Sequence, residues 1–468
     1  MLPIVSSTSP MVDLAPGSQD PGAFFSPLQS CLPVAHWLAI PLPQLPGWRS
    51  SGGAAGSTRL RPTTVLKDRC ATAPRPPKSP IQSPVEGSSP TGAPPKRSES
   101  VAALAALATA GFAAAQSSSV TLFGVVDATV QRVSNKGTGA GSVTRLTNSG
   151  YNSSRLGFRG TEDLGGGMSA SFWLEAGVSN DDGQGAGTSS NNQAVGAFNA
   201  TTGANAPVRP GTQGLTFNRR STLSLAGGWG ELRLGRDYTP QFWNLTVFDP
   251  FGTNGAGTTQ TLLGTTGSAI TGATTVRASN SIGYFLPGNL GGFYGQVQHY
   301  RGENPSTAGT TEDDGNGFGA RIGYAAGPLN IALGLSRTDA STGDIDQNNI
   351  GAQWDFGVAK LMGHIAFDEV GTAEGRGWLI GGLVPMGTGE IRASFSQYCV
   401  DNGTAEPRSR KMALGYVHNL SKRTAVYTTY ARVRNSNGAT SSAVPGAAPG
   451  PAANASSSAF DFGVRHSF

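Results

Sequence analysis

From residue 116 onward this chain alternates strictly between two kinds of side chain, and the second kind is too small or too polar to fill a core. In "NIALGLSR", Ile331, Leu333 and Leu335 share one parity, while Asn330, Ala332, Gly334 and Ser336 share the other. "EIRASFSQY" sets Ile391, Ala393 and Phe395 against Arg392, Ser394 and Ser396, and "KMALGYVHN" sets Met412, Leu414 and Tyr416 against Ala413 and Gly415. "SRLGFRG" places Arg155, Gly157 and Arg159 opposite Leu156 and Phe158. A period of two is a β-strand with two unlike faces. A two-sheet sandwich would need bulky apolar residues on its inner faces. These strands instead ask for lipid on one side and water on the other.

The chain ends on the same pattern. In "FDFGVRHSF" residues Phe460, Phe462, Val464, His466 and Phe468 fall on one parity, and Asp461, Gly463, Arg465 and Ser467 on the other. A strand that stops at Phe with nothing after it predicts a ribbon closing on a partner, here "SVTLFGVVDATV" at the start of the body. Closure would leave no unpaired edge facing lipid, where bare backbone groups are very costly.

Apart from the Ala-rich run near 101–115, no apolar stretch approaches the ~20 residues a spanning helix needs. That leaves a spanning barrel open, because its alternating strands keep average hydropathy bland. Connectors alternate in length. Short turns fall at 162–167, 226–230, 286–292, 325–328, 355–357, 384–389 and 418–422. Longer polar stretches fall near 132–152, 180–214, 240–275, 301–315, 338–345, 369–375, 399–408 and 435–457. Short turns on one rim and long loops on the other describe an all-β, antiparallel transmembrane barrel. The strands between them number sixteen, enough to leave an aqueous channel inside.

The formal charge of +5 misleads, since nine basic and five acidic residues precede Gln116 and leave 25 against 24 in the body. So near-neutral a body has no bulk basicity for nucleic acid. Of three cysteines, only Cys399 lies in the body, and the five histidines are scattered without ligand spacing, so no metal or cofactor is expected. Residues 1–95 hold 18 of the 30 prolines and read as a disordered leader or an incorrectly extended gene start. Residues 96–115, "KRSESVAALAALATAGFAAA", have the basic start, apolar run and small-residue end of a signal peptide, with cleavage expected after Ala115. Its internal position points to a true start downstream of Met1, though no Met occurs between Met11 and Met168, so a non-Met start codon would be needed.

The body, 116–468, resembles the general diffusion porins of Gram-negative bacteria in the form common in β-proteobacteria. The stretches that carry the resemblance are "SSVTLFGVVDATV", "SSRLGFRGTEDLGGGMSASFWLEAG", "FNRRSTLSLAGGWGELRLGRDYTP", "VRASNSIGYFLPGNLGGFYGQVQHY" and the terminal "GVRHSF". The resemblance implies a homotrimer of sixteen-stranded barrels in the outer membrane, with the third long loop folded into the lumen to form a constriction. It implies passive diffusion of small hydrophilic solutes and ions, contact with outer-membrane lipid and lipopolysaccharide, and recognition of Phe468 by the barrel-assembly machinery.

In that family, wall arginines face carboxylates across the constriction, and the transverse field tunes ion preference. By position in the motifs, Arg155 and Arg219 match wall arginines and Glu175 matches the wall carboxylate. Arg220 is an extra charge beside Arg219, and parity leaves open which of the two looks into the pore. Arg236 and Arg277 are further lumen candidates. The loop, near 244–276, holds one acid, Asp249, where cation-preferring relatives place more. Weak to moderate anion preference is therefore expected. The aromatics Trp229, Tyr284, Phe285, Tyr294 and Tyr416 flank turns and are expected in the interfacial girdle.

Two other classes compete. An outer-membrane barrel enzyme would need a nucleophile beside a His at one rim, and no G-x-S-x-G occurs. A surface receptor or adhesin using the long loops is compatible with a channel.

Overall fold

The computed structural model describes residues 119–193, 214–267 and 272–468, together with the backbone of two short paired strands at Phe198–Asn199 and Ala204–Asn205. The expected leader, 1–95, and the signal-like stretch, 96–115, lie outside the described residues.

Alternation in the sequence becomes sixteen antiparallel strands in a ring. They are β1 (Ser119–Asn135), β2 (Arg155–Gly165), β3 (Met168–Ser179), β4 (Arg220–Gly227), β5 (Gly230–Tyr238), β6 (Arg277–Phe285), β7 (Phe293–Tyr300) and β8 (Gly317–Ala326). There follow β9 (Leu329–Thr338), β10 (Ile345–Asp355), β11 (Lys360–Val370), β12 (Ala373–Met386), β13 (Gly389–Asp401), β14 (Arg408–Asn419), β15 (Thr424–Ser436) and β16 (Ser457–Ser467). Each pairs with its sequence neighbours, and β16 closes on β1 from Val125↔Ser467 to Asn135↔Ser457. Phe468 seals the seam, exchanging two backbone hydrogen bonds of 3.1 Å with Gly124. Side chains of the outer parity, such as Leu122, Leu223, Ile282, Leu414 and Phe462, are all more than half exposed. They form the face the alternation assigned to lipid.

Each of the seven expected short turns joins two strands on one rim. Among the long connections two differ from expectation. The stretch 369–375 is only a two-residue turn at 371–372, because alternation in β11 and β12 continues almost to Gly371. The stretch 132–152 is partly ordered strand: β1 runs on to Asn135 and forms a hairpin with Ser142–Asn148. In the girdle, Trp229 stacks on Tyr284, and Tyr416 keeps the outward parity of Met412 and Leu414. Phe285 and Tyr294 turn inward instead. Arg233 lies 3.9 Å from the centroid of Phe285, and Tyr294 donates to Asn330 Oδ1 at 2.6 Å.

The small inward residues have a second reason to be small: the third long connection, L3 (239–276), packs on them. It begins with helix α1 (Pro240–Val247), whose Pro at the first turn spares a hydrogen bond the helix would lack anyway. Phe248 then inserts fully buried against the wall, where a Cβ on Gly351 would lie 2.0 Å from its ring. Gly334 likewise lets the α1 backbone approach, since a Cβ there would stand 2.8 Å from Gln241 Cα. Helix α2 (Gln260–Leu263) brings Leu262 and Leu263 into an apolar cluster with Tyr398, Val400, Ala413 and Val433. The apolar core thus lies between loop and wall.

Polar ties fix the path of L3. Asn244 Nδ2 donates to Ala332 O (3.0 Å), Asn349 Nδ2 to Gln241 O (3.0 Å) and Arg321 Nε to Asn244 Oδ1 (2.6 Å). The Ala256 N–H donates to Asp461 Oδ2 (2.8 Å), and Lys411 Nζ donates to Thr258 O and Thr261 Oγ1, both at 2.7 Å. These ties fall on β8, β9, β10, β14 and β16. A separate cluster of charged side chains lies on the wall from β2 to β6. Lys411→Met should remove the charged donor from the Thr258 carbonyl and the Thr261 hydroxyl, leaving the carbonyl only the Thr261 hydroxyl at 3.1 Å, at a cost of about 1–3 kcal/mol. The temperature at which the folded band disappears on an unheated-versus-heated gel should fall accordingly, with the barrel still formed below it.

Candidate functional site

Register decides which charges meet. Arg155 pairs with Gly177, Gly157 with Glu175 and Arg159 with Trp173, so Arg155, Arg159, Trp173 and Glu175 share the inner face. Glu175 in turn pairs with Arg220, the first residue of β4. Arg220 therefore points inward, its guanidinium 4.6 Å from the Trp173 centroid. Arg219 stands just before the strand, where alternation no longer applies. Its N–H donates to Glu175 O at 3.0 Å, and its side chain enters the lumen as well. Both members of the pair face the pore side.

Glu175 is the centre of the first group. Its Oε1 accepts Arg219 Nε at 2.5 Å and lies 3.8 Å from Arg155 Nε, while Oε2 accepts Trp173 Nε1 at 3.1 Å. The other arm of Arg219 donates to Tyr238 Oη (2.9 Å), and Arg277 Nη2 donates to the same phenol oxygen (2.8 Å) from the far side. Arg277 also stacks 4.4 Å from the Tyr238 centroid. A neutral phenol can accept from two guanidiniums and hold them apart without cancelling either charge. The run Arg155, Glu175, Arg219, Tyr238, Arg277 thus puts three cations against one anion along β2 to β6.

A second group beside it is balanced. Arg233 donates to Asp237 (2.6 Å) and to Glu231 (2.8 Å), and Arg220 Nε lies 3.8 Å from Asp237. Two arginines there answer two carboxylates. Arg236, expected in the lumen, has the outward parity of Leu232 and Leu234. Its guanidinium donates to Asn218 O (2.6 Å), Ser189 O (3.2 Å) and Ser279 Oγ (2.8 Å). It clips the second long loop, L2 (180–219), to the wall, and shares no hydrogen bond with the first group.

Asp249, expected at the constriction, is buried inside L3. Its two oxygens accept the Phe251 and Thr259 N–H groups at 2.8 and 2.9 Å. Burial pushes its carboxyl up to about 6 despite those donors. It braces the loop's own turn. As no other ionisable residue occurs between 239 and 276, L3 turns no charged side chain toward the pore.

Besides Arg233, three further lumen arginines were not singled out from sequence. Arg392 Nη2 donates to Tyr151 Oη at 2.9 Å and stacks on that ring, with Arg465 on it too at 5.3 Å. Arg321 lies 4.8 Å from the Tyr294 centroid. Parity already placed Arg392 and Arg465 on the polar face; Tyr151 lies in a loop and gave no such signal.

Comparison with known proteins follows the same outline. A family model described as Gram-negative porin matches residues 100–438. The chain is 37% identical over 382 residues to outer membrane porin protein 32 of Delftia acidovorans, an alignment covering 79% of this chain and 99% of the relative. It is 28% identical over 392 residues to an outer membrane porin protein of Bordetella pertussis, covering 71% and 94% respectively. Among solved structures, the anion-selective porin from Comamonas acidovorans superposes with a TM-score of 0.62 at 35% identity, covering 75% of this chain and all of that one.

Proposed function

We infer the properties of the conducting path from one premise: the chain belongs to the Gram-negative porin family and forms an outer-membrane channel through its sixteen-stranded barrel. The channel passes small hydrophilic solutes and ions passively, with no bond made or broken, and favours anions weakly to moderately. The observation that carries this is the excess of guanidinium over carboxylate on the β2–β6 wall, facing a loop whose one acid is buried. Two uncompensated charges about 5 Å from a permeating ion give roughly 1.7 kcal/mol even at ε of about 80, more than tenfold in local concentration. Screening over about 10 Å at 0.1 M salt brings the preference down from there. The solved relative from Comamonas acidovorans, itself described as anion-selective, supports the same sign.

The signal-peptide pattern of 96–115 supports a mature chain of 116–468, cleaved after Ala115. From the family resemblance come its work as a homotrimer and its contact with outer-membrane lipid and lipopolysaccharide. Phe468 is the residue the assembly machinery reads. Deleting it should reduce assembled barrel in cells several-fold, seen as loss of the heat-modifiable band, while protein refolded in detergent keeps more of its yield.

Liposome swelling tests the function. Small carboxylates should enter faster than neutral solutes of equal size, and amines slowest. Equal rates, or amines fastest, would overturn the anion preference, and no swelling from a folded barrel would overturn the open channel.

A further inference from the structure

Asp127 on β1 and Arg465 on β16 stand directly opposite each other on paired strands, both on the inner face, yet form no ion pair. The carboxylate is engaged elsewhere. Its Oδ2 accepts the Tyr151 and Asn152 N–H groups at 2.9 and 2.6 Å, and its Oδ1 accepts the Tyr427 hydroxyl. Asp127 thus ties down the inward return of the first long loop, and the Tyr151 ring packs 5.6 Å from that of Tyr427. Arg465 is left over. Among the described residues it makes no ion pair, its Nε is buried without a hydrogen-bond partner, and its Nη1 donates to Ser467 Oγ at 3.3 Å. Its guanidinium lies 5.3 Å from the centroid of the Tyr151 ring.

Arg392 shares that ring from β13, 4.4 Å from the centroid, with Nη2 donating to the phenol oxygen at 2.9 Å and Nε to Glu390 at 2.7 Å. Two guanidiniums on one neutral phenol repeat the unit Arg219, Tyr238, Arg277. Height separates the two units. Tyr238 ends β5 and Arg277 begins β6, both at the long-loop ends of their strands. Arg392 instead lies just past the short turn at 387–388, and Arg465 close to the end of β16. Arg155 stands between them: Val125 pairs with Arg155 on one side and Ser467 on the other, and Arg155 and Arg465 repel each other. A lumen cation whose counter-ion is taken attracts any anion beside it, and guanidiniums grip oxyanions and carboxylates through charge-assisted, bidentate hydrogen bonds.

We propose that Arg465 and Arg392, held on Tyr151 beside Arg155, form a second anion-binding station for a small oxyanion or carboxylate, nearer the short-turn rim than the Tyr238 group. The station rests on the channel reading above and adds a step to it: an anion that has passed the Tyr238 group is held once more before it leaves. Tyr151 is the positioning residue, since its ring carries both guanidiniums and its hydroxyl orients one of them.

The test is block of the chloride current by inorganic phosphate, added to one chamber at a time, in refolded barrels in a planar bilayer. Orientation is read from the chamber in which protease attacks the long loops. Phosphate from the short-turn side should block saturably. Arg392→Gln/Arg465→Gln should raise the half-blocking concentration from that side by about tenfold, with block from the long-loop side kept because the Tyr238 group is intact. Tyr151→Ala leaves every charge in place yet should weaken the same block severalfold, while Tyr151→Phe, which keeps the ring, keeps most of it. No block from the short-turn side in the unaltered barrel, or unchanged block in the double variant, overturns the station. Equal loss from both sides overturns its separation from the Tyr238 group, and full block in Tyr151→Ala overturns the role of the ring. Conductance without phosphate shows that each variant folds. The reversal potential in the same records reports the anion preference separately, so failure of that reading is distinguished from failure of the station.

Discussion

The triple variant Arg155→Gln/Arg219→Gln/Arg277→Gln should conduct but lose most of its chloride preference. The three side chains outnumber the one carboxylate they surround on the β2–β6 wall, gathered around Glu175 and the Tyr238 phenol. Each charge about 5 Å from a passing ion is worth roughly 0.8 kcal/mol at ε of about 80. Removing three changes the relative cost of anion and cation by tenfold or more even after screening. Glu175 remains, held by the Trp173 N–H, and is offset by the inward Arg159 on the same wall. Arg236→Gln gives the contrast. Its guanidinium is spent on L2 carbonyls and Ser279, so the reversal potential should stay where it is while L2 becomes easier to cleave with protease. A triple variant that keeps its full chloride preference would move the origin of selectivity away from this wall.

Gly351→Leu should dislodge L3 while leaving the barrel closed. The new Cβ would sit 2.0 Å from the Phe248 ring, closer than any real contact, and Phe248 has no exposed surface through which to retreat. Overpacking of this kind costs about 1–3 kcal/mol, and losing the buried ring adds roughly 1.5–3 kcal/mol. The loop is held by an apolar patch and separate hydrogen bonds worth about 1–3 kcal/mol each, whereas the wall is a continuous closed ladder, so the loop gives way first. Single-channel records should become noisy and L3 protease-sensitive, with the sign of ion preference kept because the arginines are untouched. Adding Phe248→Ala removes the collision and should quiet the records again, a coupling only neighbouring residues show. Quiet, wild-type records from Gly351→Leu would mean that the Phe248 seat does not hold the loop.

These two predictions separate what was legible in the sequence from what was not. A period of two is local, so strands, turns and the polar face that holds Arg155 could be read directly, while Glu175 came from its place in a family motif. The terminal Phe460, Phe462 and Val464 face outward and β16 closes on β1, as the ending implied. Alternation fails where a strand has not begun, which is why Arg219 and Arg220 could not be told apart and both turn inward. Arg236 was a lumen candidate by its place in a family motif, although its parity with Leu234 was visible and pointed away from the lumen. Asp249 could not be placed because a loop folded back on a wall is a long-range matter; nothing near it in sequence reveals that both oxygens serve backbone N–H groups. The small residues Gly334 and Gly415 were read as water-facing, whereas Gly334 makes room for Gln241 and Gly415 has Phe251 against it. Their size was visible, but its purpose needed the partner surface.

The central claim is that the wall of β2 to β6, against an L3 whose one acid is buried, sets the sign of ion preference. The most direct measurement is the reversal potential of the barrel refolded from Gln116, in a planar bilayer under a tenfold KCl gradient at neutral pH. The account predicts a potential of chloride sign, between about a third and two thirds of the roughly 59 mV that perfect one-charge selectivity would give. A potential of potassium sign would contradict it.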